Sequence, residues 1–148
     1  MTFTLRPATR ADADWLYALR RTTMQVYVEA AFGHWDEAAQ RGRFHVGHEL
    51  ANMEIIEVGD RAVGLLHIER ARHEIFLANL QIQPGFQRRG LGTAVIRRLL
   101  DEGRQARLPV RLQVLKTNPS ARALYERLGF APLGPGDVVH DRMIWRPD

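Results

Sequence analysis

Residues 75–82 read IFLANLQI, a long and nearly all-apolar run that Pro84 and Gly85 bring to an end. Its polar alternation is too weak for a half-exposed strand, so the run belongs near the middle of a sheet, covered on both faces. The adjoining turn is equally constraining. The stretch PGFQRRGLGTAV, residues 84–95, packs glycines and two adjacent arginines together. From Gly90 to about Arg104, Leu91, Val95, Leu99 and Leu100 then recur at helical spacing. A buried strand, a glycine turn and an amphipathic helix succeed one another, and the rest of the chain has to be arranged around that unit.

The flanking segments supply its neighbours. FTLRPAT gives a short strand over residues 3–7, and Thr9 or Asp12 caps a helix with Trp15, Leu16, Leu19 and Thr23 on one face. The segment MQVYVEAAFGHW either continues that helix or breaks near Gly33, and Asp36 is placed to cap a second helix, EAAQRGRFHVGHEL. MEIIEV, Gly59-Asp60 and RAVGLLHIE form a hairpin. VRLQVL is a strand; NPSARALYERLGF is a helix capped by Asn118 or Ser120 and stopped at Gly129. A last strand pair lies near Phe130 to Leu133 and Val139 to Trp145, with PLGPGD turning between them. This order predicts an α/β fold with a single mixed, mostly antiparallel central sheet flanked by helices, and one domain over residues 1–148.

Composition narrows the function classes. There is no cysteine, which removes disulfides, thiolate metal sites and a cysteine nucleophile. The N-terminal MTFTLRPATRADADW has no basic leader with an apolar core, and no apolar run reaches a membrane span, so a cytoplasmic protein with no membrane partner is expected. Net charge is +4, and Lys116 is the only lysine among the basic residues. Arginine suits phosphate because its planar fork makes paired hydrogen bonds. The arginines are dispersed rather than clustered with aromatics, which argues against nucleic acid. His45 and His48 form an HxxH pair with no third ligand nearby, so no metal is expected.

A strand, a glycine turn and a helix start gather free backbone N–H groups at one point, where an anion binds without a dedicated side chain. Three phosphate motifs can be tested by spacing. Gly85 and Gly90 have the gap of a Walker loop, but Leu91 and Gly92 follow where Lys and Ser/Thr are needed. Gly90 and Gly92 begin a dinucleotide fingerprint, but Val95 takes the third position. The pattern (Q/R)xxGx(G/A) is matched in full by Gln87-Arg88-Arg89-Gly90-Leu91-Gly92.

That last pattern resembles the pyrophosphate loop of the GNAT superfamily, the CoA-dependent N-acyltransferases, in which it likewise follows an apolar strand and opens an apolar helix. A second segment points the same way. Asn118, Ala121, Tyr125, Gly129 and Phe130 match NxxAxxxYxxxGF, the other signature of that family. The two segments stand in the family's order, and the element order fits along nearly the whole chain.

The resemblance implies a GNAT-like fold and an N-acetyltransferase that moves an acetyl group from acetyl-CoA to a primary amine by direct attack, with no acyl-enzyme. A non-catalytic acyl-CoA-binding or sensor homologue is the alternative. Backbone groups near Leu80, Gln81 and Ile82 would serve the pantetheine arm, and those of Arg88, Arg89, Gly90, Leu91, Gly92 and Thr93, behind Gln87, the pyrophosphate. Arg88, Arg89 and Arg122 are candidates for the 3′-phosphate, and Asn118 for the cofactor arm. Tyr125 is implied as the acid that protonates the departing thiolate, although it also falls at core spacing with Ala121, Leu124 and Leu128.

The base is open. Many family members carry a carboxylate in the central strand, where this chain has Ala78 and Asn79, leaving Glu74, Glu69 and His67 as candidates. The acceptor is expected over the first two helices, where YVEAAFGHWDE offers Tyr27, Glu29 and Trp35, with Phe32, Asp36 and Glu37; acid beside aromatic suits a cationic amine. Small-molecule and protein or peptide amines both remain open as acceptors, as do monomer and homodimer.

Overall fold

In the computed structural model, which describes residues 2–44 and 47–148, the apolar run becomes strand β4 (Ile75–Ile82), the middle strand of a seven-stranded sheet. To one side lie β3 (Arg61–Arg70), β2 (Met53–Val58) and β1 (Thr4–Pro7). To the other lie β5 (Val110–Leu115), β7 (His140–Trp145) and β6 (Ala131–Pro132). Neighbouring strands pair antiparallel except β4 and β5, which are parallel because helix α4 (Leu91–Ala106) carries the chain back between them. The mixed, mostly antiparallel sheet read from the sequence is the one observed.

Helix α1 (Ala13–Phe32) runs through MQVYVEAAF and stops at Gly33, whose N–H bonds the Glu29 carbonyl at 2.8 Å. The segment expected as one second helix is instead two short ones, α2 (Glu37–Gly42) and α3 (Gly47–Leu50). Gly42 and Gly47 inside that segment weaken it as a single helix. Asp36 caps α2 by accepting the Ala39 N–H at 3.0 Å, and Asn118 caps α5 (Pro119–Arg127) by accepting the Ala121 N–H at 3.3 Å. The last strand pair is shorter than its apolar residues implied. β7 begins only at His140, because Asp137 captures the Val139 and His140 N–H groups in a turn.

The two faces of the sheet are covered differently. Helices α4 and α5 pack Leu91, Ile96, Leu99 and Tyr125 onto Ile68, Leu77 and Leu112. On the opposite face, Leu16, Tyr17 and Leu19 of α1, with Phe44 and Leu50, pack onto Met53, Ile55 and Leu65.

Two irregularities at β4 shape what lies between these layers. Its pairing with β5 ends at Leu77↔Leu112, so the strands part beyond that point. On its other edge His67 opposes Asn79 and Ile68 opposes Leu77, which leaves Ala78 as an extra, bulged residue. The bulge reverses the alternation of the strand. Ile75 and Leu77 before it, and Leu80 and Ile82 after it, all belong to the core under α4, so Asn79 and Gln81 turn toward α1. Gly64 of β3 is required opposite this segment, since a Cβ there would come within 2.5 Å of the Gln81 carbonyl oxygen.

Candidate functional site

Where β4 and β5 part, a cleft of about 680 Å³ opens between the sheet and α1. Its floor is Ala78 to Leu80 on one side and Gln113 to Leu115 on the other. With no strand partner beyond Leu77 on that side, this end of β4 offers an unpaired backbone edge, the geometry an extended chain uses to add itself to a sheet.

At the end of β4 the chain enters the glycine turn. Gln87 braces it, its Nε2 donating to the Ile82 carbonyl at 2.8 Å. Arg88 and Gly90 have φ of 62° and 82°, the left-handed region; Gly90 makes that conformation without strain as the residue before α4. Among the described residues no side chain caps α4, so the N–H groups of Leu91, Gly92 and Thr93 in its first turn are left for an outside acceptor. An added Cβ at Gly90 meets nothing within 4 Å, so the space over this turn is open. Unpaired strand edge and uncapped helix start together fit the pantetheine and pyrophosphate of an acyl-CoA. Arg89 lies over the Phe86 ring at 5.3 Å. Arg122 is engaged elsewhere, 2.5 Å from Asp141 and 3.1 Å from Glu126.

Tyr125 and Asn118 come to the cleft from α5. Tyr125 is 9% exposed and set edge-on to Phe130, with ring centroids 5.6 Å apart. Burial pushes its phenol up to about 12, so the hydroxyl holds its proton at neutral pH. Among the described residues nothing hydrogen-bonds that hydroxyl, although the tyrosine lines the cleft. Core packing and a free proton donor coexist in one side chain.

The three base candidates lie off the cleft. Glu74 pairs with Arg111 at 2.9 Å at the start of β4. Glu69 is exposed at the far end of β3. His67 is buried under the cleft floor opposite Asn79, and burial lowers its basicity, which Glu49 and Glu69 only partly restore. The acceptor residues read from the sequence are also displaced. Tyr27 gives its carbonyl to the Thr117 hydroxyl at 2.8 Å, Glu29 bonds Gln25 on the outer face of α1, and Trp35 donates to the Tyr17 hydroxyl at 3.2 Å. The wall of α1 is made instead by the stripe Met24, Val28 and Phe32. Of the acidic residues in that segment only Asp36 reaches the cleft, and its carboxylate is the cap of α2.

Among the lining residues that the sequence did not put forward are His140, Arg20 and Arg43. His140 stands opposite Leu115 across β5 and β7, and its Nδ1 is 3.3 Å from both oxygens of Asp137. Arg20 and Arg43 line the cleft from α1 and from the end of α2. Arg20 was detectable, because it interrupts the apolar stripe Leu16, Met24, Val28 at helical spacing. His140 was not, because only strand pairing brings it near α5. His45 and the side chain of His48 lie outside the described residues; among the described residues no three potential metal ligands come together.

The fold agrees with comparisons to known proteins. The model of a family described as the acetyltransferase (GNAT) family matches residues 14–130. Among curated proteins, the [ribosomal protein bS18]-alanine N-acetyltransferase of Salmonella typhimurium is 33% identical over 97 residues, 65% of this chain and 64% of that protein. Its Escherichia coli K12 counterpart is 33% identical over 85 residues, 57% of each, so the chain spans about three-fifths of the relatives it matches. An acetyltransferase from Thermus thermophilus superposes with a TM-score of 0.80 at 20% identity, over 99% of this chain and 97% of that one. The PaiA N-acetyltransferase of Thermoplasma acidophilum in complex with coenzyme A gives 0.77 at 13% identity, over 99% of both.

Proposed function

The chain belongs to the GNAT acetyltransferase family, and from that premise we propose that it moves an acetyl group from acetyl-CoA to a primary amine by direct attack. The observation that carries this reading is a cleft that joins a β4 edge left unpaired after Leu77 to the protonated Tyr125 hydroxyl, with an uncapped α4 start behind Gly90 in the turn that follows the same strand. Acetyl-CoA supplies the activated acyl group. Backbone N–H groups of Leu91 to Thr93 hold its diphosphate, and the edge of β4 from Ala78 to Ile82 takes the pantetheine arm. A β4 N–H polarises the thioester carbonyl, and Tyr125 donates its proton to the departing thiolate.

The amine must lose a proton, and in this reading His140, which lines the cleft, takes it. Asp137 already accepts two backbone N–H groups, so it stays an acceptor toward His140 Nδ1–H. That tautomer leaves Nε2 free to receive a proton from the amine, directly or through water. We take the protein to be a single-domain cytoplasmic enzyme. Its acceptor is a small amine or the amine of a peptide or protein, as the named substrate of the bS18-alanine relatives illustrates.

Two measurements test this. Millimolar acetyl-CoA raises the melting temperature, and free thiol is released when amines, amino acids and peptides are supplied in turn, with the acetylated product identified by mass. The absence of any thermal shift at millimolar acetyl-CoA would overturn the reading.

A further inference from the structure

The α1 side of the cleft carries positive charge that the proposed chemistry does not use. Resting on the acetyltransferase reading, we propose that the acceptor amine bears a carboxylate and that Arg20 and Arg43 bind it.

Arg20 sits on the inward stripe of α1 and is only 5% exposed, yet it lines the cleft. Its Nε donates to Gln40 Oε1 at 2.5 Å, which orients the guanidinium and leaves its terminal nitrogens for another acceptor. Arg43, at the end of α2, lines the same wall. Most ion-paired arginines of this protein sit on its outer surface, as Arg41, Arg70 and Arg104 do with Asp14, Glu102 and Asp101. Among the described residues no carboxylate oxygen lies within 4.0 Å of Arg20 or Arg43, although both face a cavity.

Nearby acids do not supply the missing partner. Asp36, the one carboxylate on the cleft wall among the described residues, is held by the Ala39 N–H. Glu49 acts on Arg20 and His67 electrostatically but does not line the cleft. The guanidinium of Arg20 is pushed down to about 9, first by burial and then by Arg43, against the opposing pull of Glu49. Two guanidinium groups that repel one another at the edge of a cavity are relieved by an anion between them, and a carboxylate matches the fork geometry of each. This replaces the cationic acceptor expected from the acidic and aromatic residues of 27–37, most of which turn away from the cleft.

Two sources supply such a carboxylate: the α-carboxylate of a free amino acid, or an acidic side chain next to the amino terminus of a peptide. Kinetics with the full chain and acetyl-CoA distinguish them, using a free amino acid against its carboxamide and an Ala-Glu peptide against its Ala-Gln analogue. In at least one arm the acid is preferred, with a KM lower by on the order of tenfold to a hundredfold. Arg43→Gln erases the preference, Arg43→Lys keeps part of it, and the KM for acetyl-CoA is unchanged in both. Arg20→Gln acts in the same direction; Arg43, being less buried, is the variant least exposed to a folding defect. Amides accepted as well as acids in both arms overturn the proposal, as does an undiminished preference in Arg43→Gln. If no acceptor turns over, thermal shifts with the same acids and amides decide the matter: a shift for an acid only, lost in Arg43→Gln, upholds the anion site, and equal or absent shifts refute it. The shift with acetyl-CoA reads the transferase function separately.

Discussion

The glycine turn over residues 87–93, which follows the end of β4, and the cleft wall made by α1 and α2 are constructed differently. The turn works with backbone. The groups proposed to hold the anion are N–H donors at a helix start with a positive φ at Gly90 and, among the described residues, no side-chain cap. The wall works with side chains contributed by separate elements: Arg20 and Phe32 from α1, Arg43 beyond α2, His140 from the last strand. A backbone site tolerates changes of side chain but not of conformation; a side-chain site does the reverse. One surface can therefore hold a constant donor while the other varies with the acceptor.

The largest expected effect breaks the backbone half. Gly90→Asp puts a side chain and a negative charge at a left-handed position beneath the bound diphosphate, and it abolishes the acetyl-CoA thermal shift. For a ligand at a hundred times its Kd, the wild-type shift is roughly 5–10 °C for a chain of this size. A Gly90→Asp protein that still shows that shift would mean that the diphosphate is held somewhere else.

Next is Tyr125→Phe, which leaves the edge contact with Phe130 in place and removes only the hydroxyl. The expected loss is about a hundredfold or more in kcat with little change in the KM for acetyl-CoA, checked by steady-state kinetics. The same variant has a stability signature. The folded phenol at about 12 lies above the ordinary value of 10.0, so its contribution is complete below pH 10 and is lost as pH rises through 12. Between those limits the wild type loses about 2–3 kcal/mol relative to Tyr125→Phe in denaturant unfolding.

On the side-chain half, His140→Gln is expected to lower kcat/KM by roughly tenfold to a hundredfold, with Asp137→Asn weaker but in the same direction. Acetyl-CoA binding is unchanged in both, since neither residue belongs to the turn. Equal losses of cofactor binding and turnover would show instead that the variants disturb the β5–β7 edge.

The sequence and the structure agree where local chemistry decides the outcome. Pro84-Gly85 after an apolar run, Gly90 at a helix start, Asp36 and Asn118 as caps are short-range features, legible one segment at a time, and the donor half is made almost wholly of them. The acceptor half depends on register. Whether Tyr27 or Val28 faces the cleft depends on the rotation of one helix on the sheet, and the side of β4 to which Asn79 turns depends on a bulge opposite His67. The first shows in the sequence only as the Leu16, Met24, Val28 stripe of α1, and the second leaves no mark in the residues of β4. The break between α2 and α3 was legible in Gly42 and Gly47, but the apolar periodicity outweighed them.

The smallest expected effect concerns the acids that sequence alone put forward. Glu74 is tied to Arg111 by three contacts of 2.9–3.2 Å, with both side chains about one-third exposed, and Glu69 stands on the outer end of β3. Removing either charge leaves the cleft as it was. Glu69→Gln and Glu74→Gln should keep kcat/KM within about twofold, while Glu74→Gln gives up on the order of 0.5 kcal/mol of stability with its ion pair. The two readouts separate the roles: a fall in kcat with unchanged unfolding would return Glu74 to the chemistry, and a small stability loss at full activity leaves the proton to a group on the cleft wall, where His140 stands with Asp137 behind it.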